Sequence, residues 1–124
     1  MSVFEANIAK WLQLKPHDED GVYHLTFTDH HIGNVWIRSI HGGVSASTIE
    51  LCAEAETRKL LEDGQDVIVS TSTIDYLRIT KDADIYARAN IVRKSRRLSI
   101  VDVVCWQDDE KIPVARGTVT LKVG

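Results

Sequence analysis

The stretch that decides the fold is His41-Gly42-Gly43-Val44-Ser45-Ala46-Ser47-Thr48-Ile49-Glu50, which opens a proline-free segment that continues to Leu61. Apolar residues in this segment recur at spacings of three and four, which predicts a long helix over 44–61 that begins at the histidine and stops before Gly64. The glycine pair at the helix start leaves backbone N–H groups without intrahelical partners. Such groups bind anions and can stabilise a negative charge that develops during a reaction.

Glu50 is a lone carboxylate in the middle of this predicted helix. Ala46 and Ala53 flank it on one stripe, and their small side chains allow a ligand or another chain to approach. With a helical rise of about 1.5 Å per residue, the carboxylate lies roughly 10 Å along the axis from the amides of the glycine pair. A reacting group is therefore expected between this helix start and a carboxylate from the facing helix of a second subunit.

The overall composition narrows the class of protein. With 124 residues, 44% of them hydrophobic, the chain is expected to form a single domain over residues 1–124. Its net charge of −3 argues against a general affinity for nucleic acid. No apolar run suggests a signal peptide or a membrane span. Cys52 and Cys105 are interpreted as core residues in a reducing compartment. A cytoplasmic protein is therefore expected.

The remaining elements are predicted from their periodicity. A short packing helix is predicted from an apolar stripe formed by Phe4, Ile8, Trp11 and Leu12. Alternating apolar residues predict strands at 22–28, 67–79, 84–94, 97–107 and 112–123, while 29–40 is expected to be irregular. Short polar turns join the last four strands, and this requires antiparallel hairpins. The predicted fold is α+β, with an antiparallel β-sheet wrapped around one long central helix.

This element order, with His41-Gly42-Gly43 at the helix start and a carboxylate nine residues after the histidine, resembles the hotdog-fold acyl-CoA thioesterases of the PaaI and 4-hydroxybenzoyl-CoA type. Three further stretches are similar to that family: Asp75-Tyr76-Leu77-Arg78, Val92-Arg93-Lys94-Ser95-Arg96-Arg97 and Val114-Ala115-Arg116-Gly117. The resemblance covers roughly residues 22–123. It implies a single hotdog domain, a homodimer or homotetramer, and hydrolysis of an acyl-CoA thioester to a free acid and CoA.

The resemblance also implies roles for individual residues. The Gly42 amide, beside Gly43, would polarise the thioester carbonyl, while Glu50 would act as nucleophile or as general base for water. His41 would orient the loop rather than exchange protons. Apart from the resemblance, the hydroxyl groups of Thr71, Ser72 and Thr73 on the strand after the helix are candidate substrate contacts, expected to reach the site from a second subunit and to help position the attacking water. Because strand side chains alternate, half of these hydroxyls must face away from any one site.

Two positions before the helix depart from the family pattern. An Asn or Gln six residues ahead of the histidine usually donates a hydrogen bond near the thioester, but that position is Val35 here. Asn34, one residue earlier, is the candidate substitute. The glycine usually found three residues before the histidine is Arg38 in this chain, so the loop is expected to have a shape of its own.

A basic cluster surrounds one predicted hairpin. Seven of the fifteen Lys and Arg residues fall between Arg78 and Arg97, and four of them crowd the turn: Arg93, Lys94, Arg96 and Arg97. Arginine binds phosphate through paired hydrogen bonds, which favours contacts with the phosphates of coenzyme A. The alternative is a solvated hairpin tip. A nucleic-acid surface is the weakest interpretation because no aromatic residues interleave with these charges.

Other functions are weaker interpretations of the same residues. Asp29-His30-His31 lacks the separate acidic ligands that a metal site needs, so no metal is expected, and no cofactor beyond the CoA of the substrate. Trp36 and Ile37 are candidates for an acyl pocket or for ordinary loop packing. A non-catalytic acyl-CoA or acyl-carrier binding module would keep the cleft and basic hairpin without needing Glu50. A dehydratase would need a histidine poised over the acyl chain.

Overall fold

The structure, a computed structural model, describes residues 2–124. A 3-10 turn at Val3–Glu5 precedes two α-helices, α1 (Asn7–Leu12) and α2 (Gly42–Arg58). A second 3-10 turn lies at Asp29–His31. Eight strands complete the fold: β1 Leu14–Pro16, β2 Val22–Leu25, β3 Ile32–Asn34, β4 Ser39–Ile40, β5 Val67–Tyr76, β6 Ile85–Lys94, β7 Leu98–Trp106 and β8 Ala115–Val123.

Six of the strands form one antiparallel sheet in the order β1-β2-β6-β7-β8-β5. Strands β3 and β4 form a separate two-stranded ribbon that leads into α2. One face of α2 packs against the sheet, and its buried apolar residues merge with those of the inner sheet face. This arrangement confirms the predicted α+β hotdog architecture, with the sheet wrapped around one long helix.

Close approach of α2 to the sheet depends on Gly117 of β8. A Cβ atom at this position would lie 3.0 Å from Ile49 Cγ2 and 3.0 Å from the backbone oxygen of Thr73. Any larger residue would therefore push the helix away from β5 and β8. Ile49 is fully buried in this notch, so the residue before Glu50 fixes the height of the helix above the sheet.

Two buried hydroxyl groups on α2, those of Thr48 and Thr57, have hydrogen-bond partners. Thr48 Oγ1 donates to the Val44 carbonyl at 2.7 Å, one turn back along the helix. Thr57 and Ser99 share a hydrogen bond of 2.8 Å between their hydroxyl oxygens across the helix–sheet interface. Both bonds offset the cost of burying polar atoms. The Thr57–Ser99 bond also joins the helix to β7.

The element boundaries differ from the predicted ones in specific places. Helix α2 ends at Arg58 rather than Leu61, because the chain tightens into turns in which Leu60 N–H donates to Thr57 O. Strand β1 was not predicted, because three residues that end in a proline are too few to show alternating apolar and polar side chains. The segment 29–40, expected to be irregular, contains a 3-10 turn and the β3–β4 ribbon.

The apolar stripe of the short N-terminal helix divides between two environments. Leu12 is buried in the core, whereas Ile8 and Trp11 remain 44% and 47% exposed. Cys52 and Cys105 are free and fully buried, as expected of core residues. Among residues 2–124, no helix combines the length and apolar character needed to cross a membrane.

The two edges of the main sheet are unequal. Strand β1 is three residues long and ends in Pro16, which cannot donate a ladder hydrogen bond. Strand β5 is ten residues long and exposes Ile68 and Tyr76 by more than half. A long edge strand with exposed apolar side chains presents unpaired backbone groups to another chain.

Candidate functional site

The N-terminus of α2 is capped by the side chain that precedes it. His41 Nδ1 accepts a hydrogen bond of 2.8 Å from Gly43 N–H, and His41 O accepts one of 2.9 Å from Val44 N–H. Gly42 N–H, by contrast, donates to no acceptor in the described part of the chain, and Gly42 is exposed. The cap therefore occupies the neighbouring amides and leaves the Gly42 N–H available for an anion or a polarised carbonyl oxygen.

Tyr76 holds the backbone of Gly42 from the opposite side. Its hydroxyl donates a hydrogen bond of 2.9 Å to Gly42 O. Its ring would lie 3.4 Å from a Cβ atom at Gly42. Sequence reasoning assigned no role to Tyr76, because a tyrosine at the end of a strand carries no signal of a contact 34 residues away. The contact anchors the backbone at the start of α2, next to the Gly42 N–H.

Glu50 is half-buried on α2, and its carboxylate is oriented by a hydroxyl from the sheet. Ser72 Oγ on β5 donates a hydrogen bond of 2.9 Å to Glu50 Oε2. Thr71 and Thr73 flank Ser72 but are exposed, and Thr73 lines a cavity on the outer face of the sheet together with Asp102. Of the three predicted hydroxyls, one is therefore brought to Glu50 within the chain.

The stripe that carries Glu50 differs from the predicted one. Ala53 is fully buried against the sheet and belongs to the core. The half-buried face of α2 instead includes Ala46, Ser47 and Glu54 around Glu50. The reason is the pitch of the helix. Ala53 lies one turn after Ile49 and next to Cys52, so it falls on the buried face of α2 and not on the face of Glu50.

The loop before α2 is held by Arg38, which has a left-handed backbone conformation with φ of 49°. Its guanidinium donates to Asp82 at 2.8 Å and to Asp29 at 3.0 Å. At the position where the resembling family usually has glycine, this chain thus keeps the glycine-like backbone. Two ion pairs offset the strain of placing a side chain there.

Asn34 is exposed, and its side chain closes its own loop. Asn34 Oδ1 accepts a hydrogen bond of 3.0 Å from Trp36 N–H. Its amide nitrogen is the part left for a ligand. Trp36 and Ile37 are 93% and 58% exposed, so in the described chain they line no pocket with the helix start.

The basic hairpin lies at the far end of α2 from Gly42. Arg97 O accepts a hydrogen bond from Val123 N–H, and Val123 lies opposite Val67 in the sheet. Asp66, next to Val67, forms an ion pair with Arg58 in the last turn of the helix. These contacts connect the hairpin to the C-terminal end of α2. The seventeen residues of α2 separate its two ends by about 25 Å. Within one chain, the hairpin and the free Gly42 amide therefore cannot contact one small group.

The hairpin nevertheless has unpaired positive charge. Within residues 2–124, ion pairs engage several arginines elsewhere, but none involves Arg93, Arg96 or Arg97, which are all exposed. Lys94 donates to the Ser95 carbonyl at 2.7 Å. Three free guanidinium groups around one turn are suited to bind an anion with several phosphates.

Alternative nucleophiles and metal ligands are engaged in packing. Burial raises the pKa of Cys105 to about 12 and that of Cys52 well above its ordinary value, so neither thiol ionises readily. Burial also lowers the pKa of His31, which packs against Trp11 and Phe27. Within the described 123-residue stretch from 2 to 124, no group of three or more His, Cys, Asp or Glu residues could hold a metal ion.

Comparison with family models identifies the group to which the chain is related. The model of the thioesterase superfamily matches residues 38–114, which include the His41 cap, Gly42, Glu50 and Ser72. The chain belongs to the thioesterase superfamily. Membership supports hydrolysis of a thioester as the general reaction. The comparison with curated proteins gave no match.

Solved structures of superfamily proteins share the fold. The BH2602 protein from Bacillus halodurans, solved with CoA, has a TM-score of 0.84 at 23% identity, over 96% of this chain and 76% of that one. The thioesterase HI1161 from Haemophilus influenzae has a TM-score of 0.87 at 17% identity, over 98% and 85%. A phenylacetic acid degradation-related protein from Ralstonia eutropha has a TM-score of 0.80 at 21% identity, over 93% and 88%.

Proposed function

We propose that this thioesterase-superfamily protein hydrolyses acyl-CoA thioesters to a free acid and CoA. The observation that carries the proposal is that α2 holds both a Gly42 N–H without an acceptor and the carboxylate of Glu50. Ser72 on β5 orients that carboxylate. One group is suited to stabilise an oxyanion and the other to attack or to activate water. Acyl transfer to water needs both.

The chemistry follows from these two groups. Glu50 either removes a proton from water as the water oxygen attacks the carbonyl carbon, or attacks that carbon itself to form an anhydride that water then opens. In both routes negative charge develops on the carbonyl oxygen, where the Gly42 N–H stabilises it. The carbon–sulfur bond breaks as this first tetrahedral adduct collapses, which gives the free acid directly in the first route and the anhydride in the second. The sulfur leaves as the thiolate of CoA and takes up a proton, from Glu50 in the first route and from water in the second.

His41 acts as a positioning residue in this proposal. Its Nδ1 lone pair is occupied by Gly43 N–H, so that nitrogen is not available as a base. The same bond turns the first turn of α2 so that the neighbouring Gly42 amide is left free. Tyr76 supports this arrangement through its hydrogen bond to Gly42 O.

The complete site requires a homodimer. Gly42 and Glu50 are about 12 Å apart along α2, too far for one carbonyl group to reach both in the same chain. Two-fold pairing of β5 with its copy would join the sheets and set the two α2 helices antiparallel on the same face. Each Glu50 would then face the N-terminal end of the partner's helix.

The same arrangement gives the basic hairpin a role. In an antiparallel pair, the C-terminal end of one α2 lies near the N-terminal end of the other. The free guanidinium groups of Arg96 and Arg97 would therefore lie near the site whose Gly42 belongs to the other chain. Coenzyme A carries phosphates for such groups, and the Bacillus halodurans neighbour was solved with CoA.

The proposal is tested by measuring thiol release from a panel of CoA thioesters. Glu50→Gln is expected to lower kcat by at least about 100-fold, because the amide is neither a base nor a nucleophile. The amide oxygen can still accept the hydrogen bond from Ser72, so the fold should persist. Glu54→Gln is the matched control, since Glu54 pairs with Arg58 one turn away. Normal turnover by Glu50→Gln would show that Glu50 is not the reactive group, whereas binding of CoA thioesters without thiol release by the wild-type protein would indicate an acyl-CoA binding module.

A further inference from the structure

A cavity of about 330 Å³ lies between α1 and the first turns of α2. Helix α1 supplies Ile8 and Trp11 to one wall, and α2 supplies Gly43, Val44 and Ser47 to the other. The ring of His41, which caps α2, also lines it. Most of the wall is apolar, and its polar groups include His30, His41 and Ser47.

This cavity adjoins the Gly42 amide of the proposed reaction site. His41 and Gly43 directly flank Gly42, whose N–H is free. Ser47 lies one turn before Glu50 on the half-buried face of α2. A group bound at the Gly42 amide therefore lies beside this cavity, and the carboxylate that reacts with it comes from the partner chain in the proposed dimer.

Helix α1 presents large apolar side chains to this cavity instead of burying them. Ile8 and Trp11 are 44% and 47% exposed, although both lie on a helix whose Ala9 and Leu12 are fully packed. Exposed apolar side chains that converge on a concave surface mark a binding site for apolar groups.

The Trp11 ring is held in place by its neighbours. It stacks at a tilt on His30 with 4.5 Å between ring centroids, and it contacts the buried His31 ring edge to face with 5.5 Å between centroids. His30 Nε2 also donates to the Trp11 carbonyl at 2.6 Å. Both backbone and side chain are therefore fixed, so the wall has a defined shape rather than a flexible one.

We propose that this cavity seats the acyl portion of the thioester and that Trp11 is the residue that limits its size. The inference rests on the proposed function and specifies its substrate class as compact apolar acyl groups, up to about one aromatic ring or a short chain. A volume near 330 Å³ is at the small end of the range of about 300–1,000 Å³ for ligand pockets. Long fatty acyl chains would have to displace Trp11.

The test separates binding from hydrolysis by using S-alkyl ethers of CoA, which cannot be hydrolysed. Calorimetry on the full-length protein compares S-benzyl-CoA and S-dodecyl-CoA, and thiol release compares benzoyl-CoA and dodecanoyl-CoA. The variants are Trp11→Ala, which opens the wall, Trp11→Phe, which keeps a ring, and Trp36→Ala. Trp36 is the matched control because it is 93% exposed and lies outside the cavity.

Wild-type protein is expected to bind the benzyl ether at least about tenfold more tightly than the dodecyl ether. Trp11→Ala should reverse or abolish this preference, while Trp11→Phe and Trp36→Ala should retain it. An unchanged preference in folded Trp11→Ala, or tighter binding of the dodecyl ether by the wild type, would overturn the assignment. If the ethers bind with the expected preference but no thioester is hydrolysed, the proposed function fails and the acyl pocket stands.

Discussion

Ser72 Oγ on β5 lies 2.9 Å from Glu50 Oε2 on α2 and donates a hydrogen bond to it. The bond crosses from the edge strand of the sheet to the half-buried face of the helix, where no other described side chain bonds to this carboxylate. It leaves the second carboxylate oxygen free and restricts rotation of the side chain. A carboxylate that is held in this way loses little freedom when it reacts.

Replacing Ser72 with alanine should therefore reduce turnover without removing the reactive group. We expect Ser72→Ala to lower kcat by about tenfold with little change in KM, because the lost contact orients Glu50 and does not bind substrate. Steady-state thiol release measures both constants. Thr73→Ala is the control, since its side chain lies on the outer face of the same strand. Equal losses in the two variants would show that the strand, and not the hydrogen bond, is responsible.

The sequence was sufficient for the elements whose patterns repeat. Helix α2 and strands β5 to β8 are long enough for spacings of three to four or of two to be read. The roles proposed for Gly42 and Glu50 came from the resemblance of the His41–Glu50 stretch to a family pattern and remain predictions. Contacts made across the fold could not: the Tyr76–Gly42 bond and the split of the α1 stripe at Trp11 depend on tertiary packing.

Arg38 is a second case in which contacts across the fold could not be predicted from the sequence. Its replacement of a usual glycine predicted a loop with a shape of its own, and the structure adds that Arg38 has a left-handed φ of 49°. Local sequence could not reveal this, because Asp82, one partner of Arg38, is 44 positions away. The ion pairs that hold the conformation are visible only once the chain is folded.

The strain at Arg38 can be measured with two substitutions. Arg38→Ala and Arg38→Gly both remove the ion pairs to Asp29 and Asp82, but only glycine adopts a positive φ without strain. We expect Arg38→Gly to melt about 3–5 °C above Arg38→Ala. Thermal unfolding followed by circular dichroism gives both values. A higher Tm for the alanine variant would show that the loop does not keep this backbone in solution.

Charge reversal at the basic hairpin tests whether it binds the nucleotide of CoA. Arg96→Glu and Arg97→Glu should each raise KM for CoA thioesters by about tenfold and leave kcat nearly unchanged, as for a contact made equally in ground and transition states. The thioester of N-acetylcysteamine, which lacks the nucleotide, should be unaffected. Lys15→Glu on the exposed β1 edge controls for net charge. If KM rose equally for both substrates, the cluster would have a structural role.

The sharing of each site between two chains is tested with two inactive variants. Gly42→Pro removes the free N–H at the first residue of α2, where proline is well tolerated. His41, with φ of −59° and ψ of 136°, already has the extended backbone that a following proline requires. Loss of one oxyanion donor should lower kcat by about 100- to 1,000-fold. Gly42→Ala keeps the N–H, and its methyl group would lie 3.4 Å from the Tyr76 ring, so it should remain active.

Mixing the Gly42→Pro chain with the Glu50→Gln chain should then restore activity. In a mixed dimer one site combines the intact Glu50 of the first chain with the intact Gly42 of the second, while the other site lacks both. Random exchange at equal amounts should recover about one quarter of wild-type activity, since half of the dimers are mixed and each has one working site. Sites contained within single chains would give no recovery despite subunit exchange verified by mass spectrometry. A fully active monomer in sedimentation experiments would exclude the shared site altogether.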